Sequence, residues 1–480
     1  MFIGREQELS FLEEKYKSKK GELVVLYGRR RVGKTETLKE FCKDKPNVFY
    51  SCKEVSDRQQ LISFSVKLLK EDIPASKYIN EFADWEEAFK AVVDLPYGKE
   101  KKLLIIDEFP YMCKGNSSIM SILQNLWDNV LKNENVMIIV CGSSMSFIEK
   151  ELLAEKNPLY GRATGIYKME AMSFYDAIKF FPNYSERDKV LVYAILGGIP
   201  HYLNQFSPDL SLEENIKKNI LSKGSVLYSE VEFMLKQELR ETQLYNSIIE
   251  AIAYGNSKLN DISNKSYINN ASKVSVYLKN LIELEIIKRE FSVDVKDKEK
   301  VNNSRGIYKI TDNYFRFWYA FVFNNISELE SGDVDGVYEY VIKPSLNDFA
   351  AQTFEDICLE YMRAKQRKNE LPFRYNKIGR WWGKLTRIND GKKETVETEI
   401  DILATTQKSN KCIIGECKFK NKAFSYKEYM DTVSKNYADS EKSELYYFLF
   451  SANGFDKKIE SEALNNNKII LVDKKEICKG

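Results

Sequence analysis

Residues 22–35 read ELVVLYGRRRVGKT, and this stretch decides the fold of the first part of the chain. An apolar strand, Leu23 to Leu26, runs into Gly28-Arg29-Arg30-Arg31-Val32-Gly33-Lys34-Thr35, which fits the spacing G-x-x-x-x-G-K-[ST]. The glycines let the backbone curl so that its N–H groups point inward at phosphate oxygens. Lys34 is placed to reach the β- and γ-phosphates of a nucleotide, and Thr35 to offer its hydroxyl to Mg²⁺. The following ETLKEFCK reads as a helix whose positive N-terminal end favours an anion. Strand before and helix after are the context the motif requires, so ATP and Mg²⁺ are the expected ligands.

Working outward, KLLIIDE (residues 102–108) is a second buried strand ending in two acids. Asp107 is expected to hold Mg²⁺ and Glu108 to act as base for the attacking water. A third strand, VMIIVC (136–141), ends in Gly142-Ser143-Ser144. A short polar side chain there is placed to sense the γ-phosphate; Ser143 is nearer the strand end, and Ser144 is the alternative. Arg162, in NPLYGRATGIYKME, reads either as an arginine finger or phosphate sensor, or as half of a surface salt bridge. Strands near 22–27, 47–51, 102–107, 136–141 and 166–170, with helical stretches between, predict a parallel α/β sheet.

Length and composition bound the rest. A chain of 480 residues exceeds one core and predicts several domains. Its 43% hydrophobic and 30% charged residues are those of an ordinary globular protein. Eight scattered cysteines show no C-x-x-C pair. With no secretion signal and no long apolar run, they predict free thiols, no membrane span and a cytoplasmic location. His201 is the only histidine, which nearly excludes Ser-His, Cys-His and multi-histidine metal chemistry. Any catalysis therefore runs on carboxylates, lysines and metals.

The opening Phe2-Ile3-Gly4-Arg5-Glu6, the loop GRRRVGKT, the strand LLIIDEF and Gly197-Gly198-Ile199-Pro200-His201-Tyr202 together resemble the archaeal-type AAA+ ATPases, relatives of the signal-transducing STAND NTPases. The resemblance covers roughly residues 1–235. It implies that the Gly-Arg-Glu opening lies by the adenine and that the Gly-Gly-x-Pro turn belongs to a helical lid. Carried over, Ile3, Arg5 and Pro200 become base or ribose contacts, and His201 a packed lid residue.

The expected organisation is a P-loop ATPase core over 1–170, a helical lid over 171–237, a winged helix-turn-helix over 238–325, and a further domain over 340–480. The winged helix is read from helices followed by a β-ribbon, IIKREFSV and GIYKITD. Its third helix, about 271–284, carries Lys273 and Lys279, and its wing loop spans 294–305. Such a helix either enters a DNA groove or packs against the ATPase. Tyr314, Phe315, Phe317, Trp318 and Tyr319 read as a docking core rather than a stacking platform.

Near the C-terminus IIGECKF (413–419) places Glu416 and Lys418 on one face of an otherwise apolar strand. EIDILA (399–404), a turn at about 406–411 and IIGECKF outline a β-hairpin. Upstream, FAAQTFEDICLEYM sets Glu355 in an apolar helical stripe, an uncommon place for a carboxylate without a function. A helical Glu, a strand Asp and a strand Glu-x-Lys in this order resemble the PD-(D/E)xK nucleases, with Ile400 standing where the superfamily often has proline. The run GRWWG…EIDILA…GECKF resembles the uncharacterised C-terminal domain fused to archaeal-type ATPases. The resemblance covers roughly 340–480 and implies a restriction-endonuclease-like fold with Asp401 and Glu416 as Mg²⁺ ligands. It also implies Lys418 as the lysine that orients water, and Glu355 completing the site.

Residues 361–393 hold eleven Lys/Arg against two Asp/Glu, either a footprint for a phosphate backbone or a solvated face. Trp381 and Trp382 inside it read as strand contacts or as core. The functional expectation is an ATPase coupled to a Mg²⁺-dependent nuclease acting on DNA, with a homo-oligomer as one assembly. The alternative is a STAND-like signalling NTPase whose C-terminal domain binds nucleic acid or protein without cutting.

Overall fold

The structure, a computed structural model, describes residues 2–300, 305–389, 392–407, 410–435, 437 and 443–479. Part of the expected wing loop (301–304) and part of the basic window (390–391) lie outside the described residues. The chain divides into two compact units, Met1–Met172 with Ile199–His201, and Ser173–Gly198 with Tyr202–Gly480.

The first unit is built on five parallel strands, β1 (Glu22–Tyr27), β2 (Asn47–Ser51), β3 (Lys102–Asp107), β4 (Val136–Gly142) and β5 (Gly165–Lys168), in the order β2-β3-β4-β1-β5. β1 and β4 are buried along their whole length, as expected of a parallel sheet covered on both faces and written in Val, Leu and Ile. Because the strands are parallel, β1, β3 and β4 end at one edge. There they deliver Gly28, Asp107-Glu108 and Ser143 together.

The second unit holds the helical region, a three-helix segment and the C-terminal sheet. Helices Thr242–Ala253, Leu259–Lys265 and Ala271–Glu283 are followed by an antiparallel ribbon of β6 (Ile287–Glu290) and β7 (Ile307–Ile310). Lys273 and Lys279 lie on the exposed side of the third helix, beside Val276 at 59% exposure. The aromatic cluster is buried: Trp318 donates to the Tyr228 carbonyl at 2.9 Å and Tyr319 to Asn246 Oδ1 at 2.6 Å. Burial with every polar tip hydrogen-bonded is what a packing core requires.

The C-terminal sheet runs β12 (Ile469–Asp473), β11 (Glu444–Ser451), β10 (Lys411–Lys418), β9 (Lys392–Thr405), β8 (Lys377–Asn389). β8, β9 and β10 pair antiparallel, whereas β10, β11 and β12 pair parallel. The hairpin of β9 and β10 sets Gly415 opposite Ile402. A Cβ at Gly415 would lie 2.8 Å from Ile402 Cβ, so the strand needs glycine there. The helix Lys343–Arg367 packs on this sheet through Phe354 against Phe419 and Tyr361 against Phe450.

Candidate functional sites

In the first unit the loop after β1 is held tightly. A Cβ on Gly28 would lie 2.3 Å from the Met169 carbonyl, so no larger residue fits this turn. Arg31 and Gly33 both have positive φ, 71° and 92°, and the helix Lys34–Cys42 begins directly after them. Lys34, 6% exposed, donates from Nζ to the Gly28 and Arg29 carbonyls at 2.8 and 3.0 Å. Burial lowers its pKa, with the nearby Asp107 and Glu108 opposing that shift. Thr35 donates from Oγ1 to Asp107 Oδ2 at 2.8 Å. Glu108, in the left-handed region at φ 52°, accepts from Ser143 Oγ on both carboxylate oxygens, at 2.9 and 3.0 Å. Of the two serines it is Ser143 that fixes the expected base.

Thr35 and Asp107 present adjacent hard oxygen donors, the donor chemistry Mg²⁺ takes. Among the described residues no three His, Cys, Asp or Glu side chains gather as a metal-binding group, here or in the second unit.

Three expected nucleotide contacts fall differently. Arg5, 6% exposed, donates to the Val32 carbonyl at 2.6 Å, the Glu170 carbonyl at 2.9 Å and Glu8 at 2.7 Å. Its guanidinium is spent on bracing the loop rather than offered to a base or ribose, so Arg5 is a positioning residue. Pro200 lies beside the loop, 3.6 Å from where a Gly33 Cβ would stand, and Ile3 is half-buried. His201 has its pKa lowered by burial and by the charge of Arg31, which suits packing rather than acid catalysis. Arg162 pairs with Asp128 at 2.8 Å and donates to the Pro158 carbonyl at 3.0 Å. The salt-bridge alternative is therefore the observed one, because an adjacent carboxylate claims the fork before any phosphate does.

In the second unit the expected acidic set converges around β9 and β10. Asp401 Oδ2 accepts from the Cys417 N–H at 2.8 Å. Burial, then Glu416 and Glu355, push the Asp401 carboxyl up to about 7. Lys418 donates to Glu416 Oε1 at 2.6 Å, and Lys435, just past the helix Tyr426–Val433, donates to Glu416 Oε2 at 2.6 Å. Lys435 was missed by sequence reasoning. Nothing in its neighbourhood marks it, since only the turn after that helix brings it to β10.

Glu355 is the correction. Its carboxylate accepts from Arg380 Nε at 2.6 Å, and Arg380 also pairs with Asp356 at 2.9 Å and Glu290 at 3.1 Å. Burial raises the Glu355 pKa and Arg380 opposes that shift. With its charge committed to Arg380, Glu355 contributes field to Asp401 rather than a ligand. The oxygen donors still suit a hard divalent ion in type, but the set shrinks to Asp401 and Glu416.

The basic window is corrected in the same way. Arg380 is 7% exposed and enclosed by carboxylates, and Trp381 is buried with its Nε1 on Asp294 at 3.0 Å. These two residues belong to the packing between β8 and the segment after β6, where Val293 N–H donates to the Arg380 carbonyl at 2.9 Å. They are not available to a phosphate backbone.

Comparison with known proteins agrees with the first site. Residues 2–206 match a family described as an ATPase domain predominantly from Archaea, and residues 318–432 match archaeal and bacterial proteins of unknown function. The uncharacterised protein MJECL04 of Methanocaldococcus jannaschii is 34% identical over 422 residues, 88% of either chain. Over a 45-residue stretch, 9% of this chain and 76% of the relative, the chain is 53% identical to an uncharacterised ATP-binding protein, MJ0423, of the same organism. The Walker-type ATPase PABY2304 of Pyrococcus abyssi shares the fold, with TM-score 0.51 and 20% identity, covering 66% of this chain and 96% of that one. Among the described residues no helix is long and apolar enough to cross a membrane. The chain belongs to the family of the Methanocaldococcus jannaschii protein MJECL04, and its residues 2–206 are an archaeal-type P-loop ATPase domain.

Proposed function

We propose that the protein hydrolyses ATP at the first site and carries, in its C-terminal sheet, a metal-dependent nuclease-like site acting on DNA. At the first site Lys34 exchanges its bonds to the Gly28 and Arg29 carbonyls for charge-assisted bonds to phosphate oxygens, which are stronger. Glu108, oriented by Ser143, takes a proton from the water that attacks the γ-phosphorus, and the bond to the β-phosphate oxygen breaks to leave ADP. Mg²⁺ on Thr35 and Asp107 would neutralise charge on the phosphates.

The observation that carries the nuclease reading is the juxtaposition of Asp401, Glu416 and Lys418 around one strand pair. Lys418 is placed to orient a water or to stabilise charge on a phosphodiester oxygen. A divalent ion held by Asp401 and Glu416 would supply Lewis-acid polarisation and a more acidic water. The three helices and ribbon of 242–310 read as a winged helix, with Lys273 and Lys279 on the exposed helix as the DNA-facing residues. A cytoplasmic, DNA-associated ATPase, assembling as a homo-oligomer, is the setting this reading implies.

The test incubates wild type and Lys418→Ala with Mg²⁺ or Mn²⁺ and single- and double-stranded DNA and RNA, with and without ATP. Cleavage by wild type and none by the variant is expected. No cleavage of any substrate under any ATP condition would sink the nuclease reading. One observation favours the second reading, a non-cleaving signalling ATPase: Glu416 has both oxygens engaged by ammonium groups, Lys418 and Lys435.

A further inference from the structure

We propose that a cavity of about 500 Å³ at the C-terminal end of the helix Lys343–Arg367 binds the phosphodiester backbone of a nucleic acid. It is lined by Arg363, Arg367 and Arg374, with Gln366, Asn369 and Tyr375. No acidic residue lines it. Arg363, Gln366 and Arg367 are spaced i, i+3 and i+4, which puts them on one face of the helix. Gln366 is fixed by accepting from the Tyr375 N–H at 2.9 Å, and Arg374 arrives from the segment leading into β8.

The basic window divides sharply at this point. Arg380 is enclosed by three carboxylates, and Lys365 pairs with Glu370 at 2.8 Å. Among the described residues no carboxylate lies within ion-pair distance of Arg363, Arg367 or Arg374. Glu360, one turn earlier on the helix, is half-buried and accepts from the Phe174 N–H at 3.2 Å. Arg363 and Arg367 feel the charge of Glu360, which offsets only part of the Coulomb cost of gathering three guanidinium groups, and an anion recovers the rest. The planar guanidinium fork matches phosphate oxygens better than an ammonium does. All three arginines are exposed, so the cavity is open to a polymer crossing it.

Ile378, on the cavity wall, pairs with Ala404, three residues along β9 from Asp401, which is roughly 10 Å of extended strand and the opposite face of the sheet. The inference rests on the DNA-directed reading for its choice of polymer, but not on cleavage.

The test is DNA binding by full-length protein without divalent metal, so that a chain which holds DNA but never cuts it still registers. Fluorescence anisotropy over a salt series compares wild type with Arg363→Glu/Arg367→Glu and with a charge-matched control, Lys67→Glu/Lys70→Glu, on an exposed helix face of the ATPase unit. The arginine variant is expected to bind at least about tenfold more weakly and to lose about two units of log–log salt slope, near 0.9 per phosphate contact. The control is expected to match wild type. A parallel titration with inorganic phosphate and ATP separates a backbone site from a site for free phosphate. Equal losses in both variants, no DNA binding by wild type, or lost phosphate binding with DNA affinity unchanged would each overturn the assignment.

Discussion

Replacing Asp401 by asparagine should stabilise the second unit at pH 8. Asp401 is buried beside Glu416 and Glu355, which raise its carboxyl from the ordinary 3.8 to about 7. A folded-state value above the unfolded one means that the unfolded chain ionises first as pH climbs. Stability is then fully present below about 3.8 and is lost progressively up to about 7. At about 1.36 kcal/mol per unit, the shift corresponds to ~4 kcal/mol lost by pH 8, an upper figure because a proton can be shared among the three carboxylates. Asparagine cannot ionise, and its Oδ1 still accepts from the Cys417 N–H that Asp401 uses now. The variant should therefore melt several degrees above wild type at pH 8 in chelator, with the gap closing as pH falls toward 4. Adding Mn²⁺ should raise the wild-type transition at pH 8 by mass action and leave the variant unmoved. Calorimetry at pH 4.5, 6 and 8, with and without Mn²⁺, reads all of this. Identical melting of the two proteins at pH 8 in chelator would refute the placement of a strained carboxylate at this site.

At the first site, Lys34→Ala should abolish measurable ATP hydrolysis in a phosphate-release assay, since the variant loses the ammonium held on the Gly28 and Arg29 carbonyls for transfer to the phosphates. Glu108→Gln should retain ATP binding, checked by nucleotide fluorescence, while hydrolysis falls on the order of 10²-fold or more through loss of the base. Arg380→Ala should destabilise the second unit by about 3–5 kcal/mol in urea, because Glu355, Asp356 and Glu290 are left without their common cation. Lys435→Ala should cost about 1.5–3 kcal/mol without metal through its lost charged hydrogen bond to Glu416. Isothermal titration should then show Mn²⁺ binding the variant more tightly than wild type, as one competing ammonium is gone.

The first site was legible because its chemistry is local. Gly28 to Thr35 are contiguous, and the acids and Ser143 sit at strand ends that parallel pairing must bring to one edge. What local reading missed there is Arg5, whose bonds to the Val32 and Glu170 carbonyls span sequence separations of 27 and 165. A resemblance can place a residue near a ligand, but only tertiary hydrogen bonding shows whether its donors are already taken. Arg162 makes the same point, because Asp128 sits 34 positions away and nothing in either segment announces the pair.

The second site exposes a sharper version of that limit. Period-two alternation placed Asp401, Glu416 and Lys418, because a hairpin register follows from the apolar pattern and the turn. Charge counting over 361–393 treated its cations as one surface, yet they have opposite fates. Arg380 is claimed by Glu290, 90 positions earlier, so its charge stabilises packing between elements and is invisible to an incoming phosphate. Among the described residues Arg363, Arg367 and Arg374 meet no carboxylate at ion-pair distance, and Glu360 acts on the first two only through its field. A carboxylate supplied from a distant element is therefore what separates a structural arginine from a ligand-seeking one. Lys435 shows the converse: an ordinary lysine after a helix gains a site role because Glu416 needs a counter-charge at both oxygens. A divalent ion seeking Glu416 must displace at least one of the two ammonium groups, so the energy of metal entry is set largely by how readily Lys435 lets go.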